Sequence, residues 1–222
     1  MTGEGGFDAL LDVAAARVLE GGSVAYPTET LYGLGADAAS ESAVERLLGW
    51  KGRAASQPLT ILVKDPAALE ALGVTLPALG RVLVDAFWPG PLTLVLPARG
   101  RFATGVGRSD GAVGVRCSSH PVAAALAARL AREGVVITST SLNRTGAPPA
   151  TTRMEARARL GAGPEAPLLV DDETAPEPSG VASTVLDVTS KAPRLLRSGA
   201  VARETLERVL GTILQQQAEA TA

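Results

Sequence analysis

A chain of 222 residues with 46% apolar side chains and a net charge of −2 can bury one sizeable core. This composition excludes a disordered chain and gives no general attraction to nucleic acid. Aromatic residues make up only 3%, so Ala, Leu and Val must fill the core, and the single cysteine, Cys117, excludes an internal disulfide and a Cys-rich zinc site.

Leu10, Leu11, Ala14, Val18 and Leu19 recur at helical spacing over residues 8–20, and Gly21-Gly22 ends that helix. Ser23-Val-Ala-Tyr26 reads as a short buried strand stopped by Pro27, with a hydroxyl-rich loop after it. A helix is expected over 41–50, capped by Ser40 or Ser42, with Ser42-Ala-Val-Glu45 as a capping box. Residues 59–63 read as a strand, Asp65-Pro66 opens a further helix, and another spans 77–87 before Trp88-Pro-Gly-Pro91. Strands follow at 92–96 and 112–116, the second ending in Arg116. His120-Pro121 opens a helix to about Arg132, and strand 135–139 runs into Ser141-Leu-Asn143.

Beyond Gly146 the composition shifts. Residues 146–152 read as a loop, 153–160 as a short helix and 173–180 as a Pro-rich connection, with short strands at 168–170, 184–188 and 194–196. Residues 203–214 carry Leu206, Val209, Leu210 and Ile213 on one helical face. The expected domain covers 1–211, leaving 212–222 as a flexible tail. Irregular alternation of helix and strand argues for a single α/β domain, an open twisted mixed sheet with flanking helices. No charged leader with an apolar stretch and no run near ~18 apolar residues is visible, so the expected compartment is the cytoplasm, with no membrane partner.

Chemistry-bearing residues gather in a few places. Thr28, Glu29, Thr30 and Tyr32 follow the first strand, and Gly33 and Gly35 there suit a positive φ or a close approach to a ligand. Lys51-Gly-Arg53 sets two cations around a glycine, which suits a small anionic ligand; a solvated pair at a helix end is the plainer alternative. Only three of the 21 basic residues are lysines, so a compact point charge is favoured at Lys51. Ser139, Ser141 and Asn143 stand at the end of a buried strand, where open α/β sheets bind ligands; an Asx turn is the alternative. His120, the only histidine, reads as a helix start rather than part of a triad. No dinucleotide fingerprint or Walker loop is present, so a nucleotide must be held in another way.

Taken in order, Pro27 to Gly35, Lys51-Gly-Arg53, Arg116 before His120-Pro121, Ser141-Leu-Asn143, Ser183-Thr-Val185 and Leu196-Arg-Ser-Gly199 resemble the YrdC-like family, which makes threonylcarbamoyl-adenylate. The resemblance covers about residues 8–210 and implies a sheet curved around a central cavity. It implies a nucleotidyltransferase that joins L-threonine, bicarbonate and ATP into L-threonylcarbamoyladenylate and pyrophosphate. That product serves the N6-threonylcarbamoyladenosine (t6A37) modification of tRNA. Mg²⁺ is implied with the ATP and no organic cofactor; tRNA and the threonylcarbamoyl-transferase complex are implied partners. Carried onto this sequence, the resemblance assigns Lys51, Arg53, Ser141 and Asn143 to catalysis and the nucleotide, and Arg197 to the nucleotide phosphates. Thr28, Tyr32, Gln57, Arg116, Ser139 and Ser183 go to threonine, Arg116 to its carboxylate. Glu29 is left between ordering a cation and holding Lys51 or Arg53. Two positions depart from the family: Leu142 replaces the usual Ala, and Gln57 the usual Asn or His. Two other classes share the fold: a double-stranded RNA or tRNA binder, and the carbamoyl-transfer domain of hydrogenase maturation, which sits in much longer chains.

Overall fold

The computed structural model describes residues 4–163 and 165–216. The helices among them are α1 (Glu4–Leu19), α2 (Glu41–Lys51), α3 (Ala68–Ala71), α4 (Ala78–Phe87), α5 (Pro121–Arg132), α6 (Arg153–Leu160) and α7 (Arg203–Leu210). The strands are β1 (Val24–Pro27), β2 (Tyr32–Gly35), β3 (Thr60–Leu62), β4 (Leu92–Pro97), β5 (Ala112–Arg116), β6 (Ile137–Ser141), β7 (Leu168–Leu169), β8 (Thr184–Asp187), β9 (Arg194–Arg197) and β10 (Gln215–Gln216).

All ten described strands join one mixed sheet in the order β10-β9-β8-β4-β5-β3-β6-β2-β1-β7. Its centre pairs β3 parallel with β5 and antiparallel with β6, while β4 runs antiparallel to β5 and parallel to β8. Successive strand residues point to opposite faces. Thus Ile61 and Val63 join a cluster with Val44 and Leu47 of α2, Leu83 of α4 and Leu206 of α7. Leu62 between them joins Leu11 and Val18 of α1 and Leu126 of α5 on the other face. Helices therefore cover both faces, as a mixed α/β domain requires. Among the described residues, no helix is long and apolar enough to cross a membrane.

Four local departures bear on the site. Residues 32–35 form β2 instead of a loop, and neither Gly33 nor Gly35 has a positive φ. A Cβ on Gly35 would stand 2.2 Å from the Thr138 carbonyl oxygen, and one on Gly33 2.9 Å from the Tyr26 ring. These glycines are needed for contact with their own sheet neighbours. Helix α2 is capped by Ser40, whose Oγ accepts from Ala43 N at 3.3 Å, not by Ser42, and it runs on through Lys51 to a left-handed Gly52. Strand β6 is displaced two residues towards the C-terminus, so Ser141 is its last residue. Finally, α7 stops at Leu210, but Leu214 is 1% exposed and Gln215–Gln216 pair with β9. The expected flexible tail is thereby corrected for residues 212–216; residues 217–222 lie outside the described residues.

Candidate active site

The strand ends and the loop after β1 enclose a cavity of 460 Å³. Thr28, Tyr32, Arg53, Arg116, Ser139, Ser141, Ser183 and Arg197 line it, eight of the eleven positions expected from sequence. Lys51, Gln57 and Asn143 are not in its wall.

Arg116, the last residue of β5, is 7% exposed and reaches under the loop after β1. Its Nη2 donates to Thr30 Oγ1 at 2.8 Å and to Thr28 Oγ1 at 3.5 Å. Glu29 Oε1 lies 3.1 Å from the same nitrogen, and Glu29 Oε2 accepts from Ser118 Oγ. Glu29 thus holds neither Lys51 nor Arg53; it balances Arg116. Arg116 Nε is buried without a hydrogen-bond partner, a donor left over for a ligand that reaches this corner. The Thr28 hydroxyl donates to Leu31 O at 2.7 Å and accepts from the N–H groups of Thr30 and Leu31. It shapes the turn as hydroxyls at strand ends commonly do, and meets Thr30 Oγ1 at 3.0 Å.

Arg53 is half-buried and bonded at 3.2–3.3 Å to Gln57 O, Thr140 Oγ1 and Pro58 O. The Gln57 side chain is exposed and lies outside the cavity wall, while its carbonyl meets Arg53. Arg197 Nε and Nη2 donate to Ser183 O at 3.0 Å and Ser183 Oγ at 2.9 Å, and Thr93 Oγ1 lies 2.9 Å from that hydroxyl. Burial lowers the pKa of Arg53; burial and then the charges of Arg116 and Arg53 lower that of Arg197. Three guanidiniums thus face one small space, and among the described residues Arg53 and Arg197 have no carboxylate partner. An anion entering the cavity relieves this repulsion.

Lys51 is 2% exposed, so the solvated helix-end reading fails. Its Nζ donates to Ser141 O at 2.5 Å, Asn143 O at 3.0 Å and Asn143 Oδ1 at 3.3 Å. Ser141 Oγ donates to the same Oδ1 at 2.5 Å, and Asn143 Nδ2 donates to Ala147 O at 2.7 Å. Lys51 and Asn143 therefore stand behind the wall, where they fix the segment that presents Ser141. Burial, and then the charge of Arg53, bring the Lys51 pKa down to about 8. Leu142 is fully buried, so the replacement of Ala there leaves the cavity untouched.

The Pro-rich segment crosses the loop after β1. Ser179 N donates to Glu29 O at 3.1 Å and Gly180 N to Thr30 O at 2.9 Å. Tyr32 OH reaches Glu177 Oε2 at 3.5 Å, and its pKa is raised by burial and then by Asp171 and Glu177. His120 caps α5 through Nδ1 and meets Pro176 O at 2.8 Å through Nε2. Cys117 is buried and its thiol is pushed up to about 11 by burial, so it is not a nucleophile. Sequence reasoning passed over Arg108 and Thr93, which also line the cavity. Thr93 alternates with apolar neighbours in β4, a weak signal; Arg108 had none, and the Asp187 carboxylate at 2.9 Å holds it there.

A model of the Sua5/YciO/YrdC family, described as telomere recombination, matches residues 17–199. The chain belongs to this family. It is 42% identical over 149 residues to a threonylcarbamoyl-AMP synthase of Nitrosococcus oceani, covering 66% of this chain and 78% of that one. It is 38% identical over 201 residues to the Pyrococcus abyssi threonylcarbamoyl-AMP synthase, covering 90% of this chain. The crystal structure of P. abyssi Sua5 complexed with L-threonine matches 93% of this chain with a TM-score of 0.83 at 36% identity. This chain spans 58% of that one. The family's expected architecture, one open mixed sheet with flanking helices, is the one observed.

Proposed function

We infer that the chain is a threonylcarbamoyl-AMP synthase, converting L-threonine, bicarbonate and ATP into threonylcarbamoyl-AMP and pyrophosphate. One observation carries this most: Arg53, Arg116 and Arg197 converge on a small hydroxyl-lined cavity in a chain of this family. Threonine's carboxylate goes to Arg116, whose Nε lacks a partner, in a corner that Thr28 and Thr30 preform. Tyr32, Ser139 and Ser183 complete the wall around the amino acid.

The threonine amine and bicarbonate condense to a carbamate with loss of water. A carbamate oxygen then attacks the α-phosphorus of ATP, and pyrophosphate leaves. Arg53 and Arg197 offset the charge that builds on the phosphates, and their existing hydrogen bonds hold them in position before the ligand arrives. Gathering the reactants in one geometry does much of the remaining work, and no covalent enzyme nucleophile is needed. Ser141 presents its hydroxyl from the segment that Lys51 and Asn143 fix.

Mg²⁺ enters with the nucleotide and supplies Lewis-acid charge on its phosphates. Among the described residues no group of three His, Cys, Asp or Glu could hold a metal, and Mg²⁺ carried on phosphates needs no such group. The product serves tRNA t6A37 formation, with tRNA and a threonylcarbamoyl-transferase complex as downstream partners and the cytoplasm as the compartment.

Mass spectrometry of products from Mg·ATP, bicarbonate and threonine tests the reading. Threonylcarbamoyl-AMP together with pyrophosphate, dependent on all three substrates, is expected. Pyrophosphate release without threonine, or tRNA retention with no turnover, overturns it.

A further inference from the structure

A second, smaller recess of 280 Å³ lies outside the cavity, with Arg17, Arg46, Arg144 and Trp50 among its lining residues and Glu165 as its carboxylate. Its cations are held in place. Arg46 Nη2 donates to Gly21 O at 2.7 Å. A Cβ on Gly21 would fall 2.3 Å from that nitrogen, and one on Gly22 would fall 2.3 Å from Arg17 Nε. The glycine pair after α1 thus does more than end a helix: it lets two guanidiniums lie against the turn. The Arg144 guanidinium stacks over the Trp50 ring, 4.4 Å from its centre.

Arg108, Arg116, Arg129, Arg153, Arg157, Arg194 and Arg203 each pair with a carboxylate within 4.0 Å. Among the described residues Arg46 and Arg144 have no such pair. The Arg46 guanidinium donates to Gly21 O, and the Arg144 guanidinium has its stacking contact with Trp50. A guanidinium carries five N–H donors in a rigid fork that matches phosphate oxygens, so two exposed forks without a carboxylate partner beside an indole suit an anion. An aromatic wall adds a surface against which a ligand ring packs.

We propose that this recess binds a phosphate ester, with the phosphate on Arg46 and Arg144 and the attached sugar or base against Trp50. The ester belongs to a nucleic-acid strand or to a free sugar phosphate. The site shares two segments with the active site. Trp50 precedes Lys51, Arg144 follows Asn143, and Thr145 N donates to Lys51 O at 2.8 Å. Neither Arg46 nor Arg144 lines the cavity, so the proposal stands or falls separately from the synthase reading.

The test compares the wild-type chain with Arg46→Ala and the Arg46→Ala/Arg144→Ala pair. Binding of a fluorescein-labelled octaribonucleotide is followed by anisotropy, and binding of ribose 5-phosphate by tryptophan fluorescence. Threonylcarbamoyl-AMP synthesis is measured alongside. The double variant should weaken a probe by at least tenfold, while Arg46→Ala leaves basal synthesis unchanged. If the strand is the ligand, the slope of log affinity against log salt should flatten by about 0.7 for each arginine removed. Loss confined to ribose 5-phosphate supports the free ester; loss with the oligonucleotide supports the strand. Equal binding of both probes by wild type and double variant, or no binding of either by the wild type at about 0.1 M salt, overturns the proposal.

Discussion

Replacing Lys51 with methionine keeps most of the buried volume but removes the ammonium that holds Ser141 O, Asn143 O and Asn143 Oδ1. Only Asn143 O is left without a donor, because Ser141 O keeps Asn143 N at 3.0 Å and Asn143 Oδ1 keeps Ser141 Oγ, so the cost is about 1–3 kcal/mol of lost stability or lost loop order. The segment that presents Ser141 loosens, and kcat/KM for threonylcarbamoyl-AMP formation should fall by at least about 10²-fold while the fold survives. A pyrophosphate-release assay measures this. The wild type also has a distinctive pH dependence. Its Lys51 pKa is about 8 in the folded chain against an ordinary 10.5. Burying the charge is therefore a cost that is fully present below about pH 8. It disappears as the pH rises towards 10.5, where the unfolded chain still binds the proton and the folded one does not. The stability difference between wild type and Lys51→Met should move in favour of the wild type over that window. An uncharged amine has two N–H donors for three acceptors, so kcat/KM should show an alkaline limb at about pH 8 that the variant lacks. Wild-type kcat/KM in Lys51→Met, with the alkaline limb retained, would refute the clamp.

Glu29→Gln keeps the shape beside Arg116 but removes its counter-charge. Arg116 then meets the threonine carboxylate without a competing carboxylate, so the KM for threonine should fall with kcat little changed; steady-state kinetics showing a higher KM would make Glu29 a positioning residue for Arg116. Substrate choice should be strict for threonine over valine and weaker over serine, because valine leaves buried hydroxyl partners unpaired whereas serine loses a methyl contact of about 1 kcal/mol. Equal kcat/KM for valine and threonine would contradict this. Deleting residues 212–222 removes Leu214, which is 1% exposed, and the β10 pairing with β9. Thermal unfolding should show a loss of about 2 kcal/mol, and an unchanged Tm would mean that this end adds nothing to the core.

The site motifs were legible because they are runs of polar residues at the ends of apolar ones. Thr28, Thr30, Tyr32, Arg116 and Ser139 to Ser141 each stand where an apolar strand stops, and all line the cavity. What lies behind the wall was not legible in the same way. Lys51 and Asn143 looked like ligand-binding residues because they carry donors and acceptors near the site. Whether those atoms face a ligand or each other depends on a contact between residues 90 or more apart in sequence. The same holds for Gln57, whose side chain turns to solvent while its carbonyl meets Arg53.

Sequence by itself determined the class of fold, the central strands and most helices, because apolar period and capping are local properties that a single segment expresses. It also placed Thr28, Arg116 and Ser139 at strand ends. Only the tertiary structure decided the rest. Gly33 and Gly35 became a strand because a neighbouring carbonyl and a tyrosine ring stand where a Cβ would be. Glu29 became the partner of Arg116, a residue 87 positions away, because β5 ends beneath the loop after β1. Leu214 joined the core because α7 turns the chain back along β9. In each case the deciding energy is a contact between distant segments, which no local period encodes.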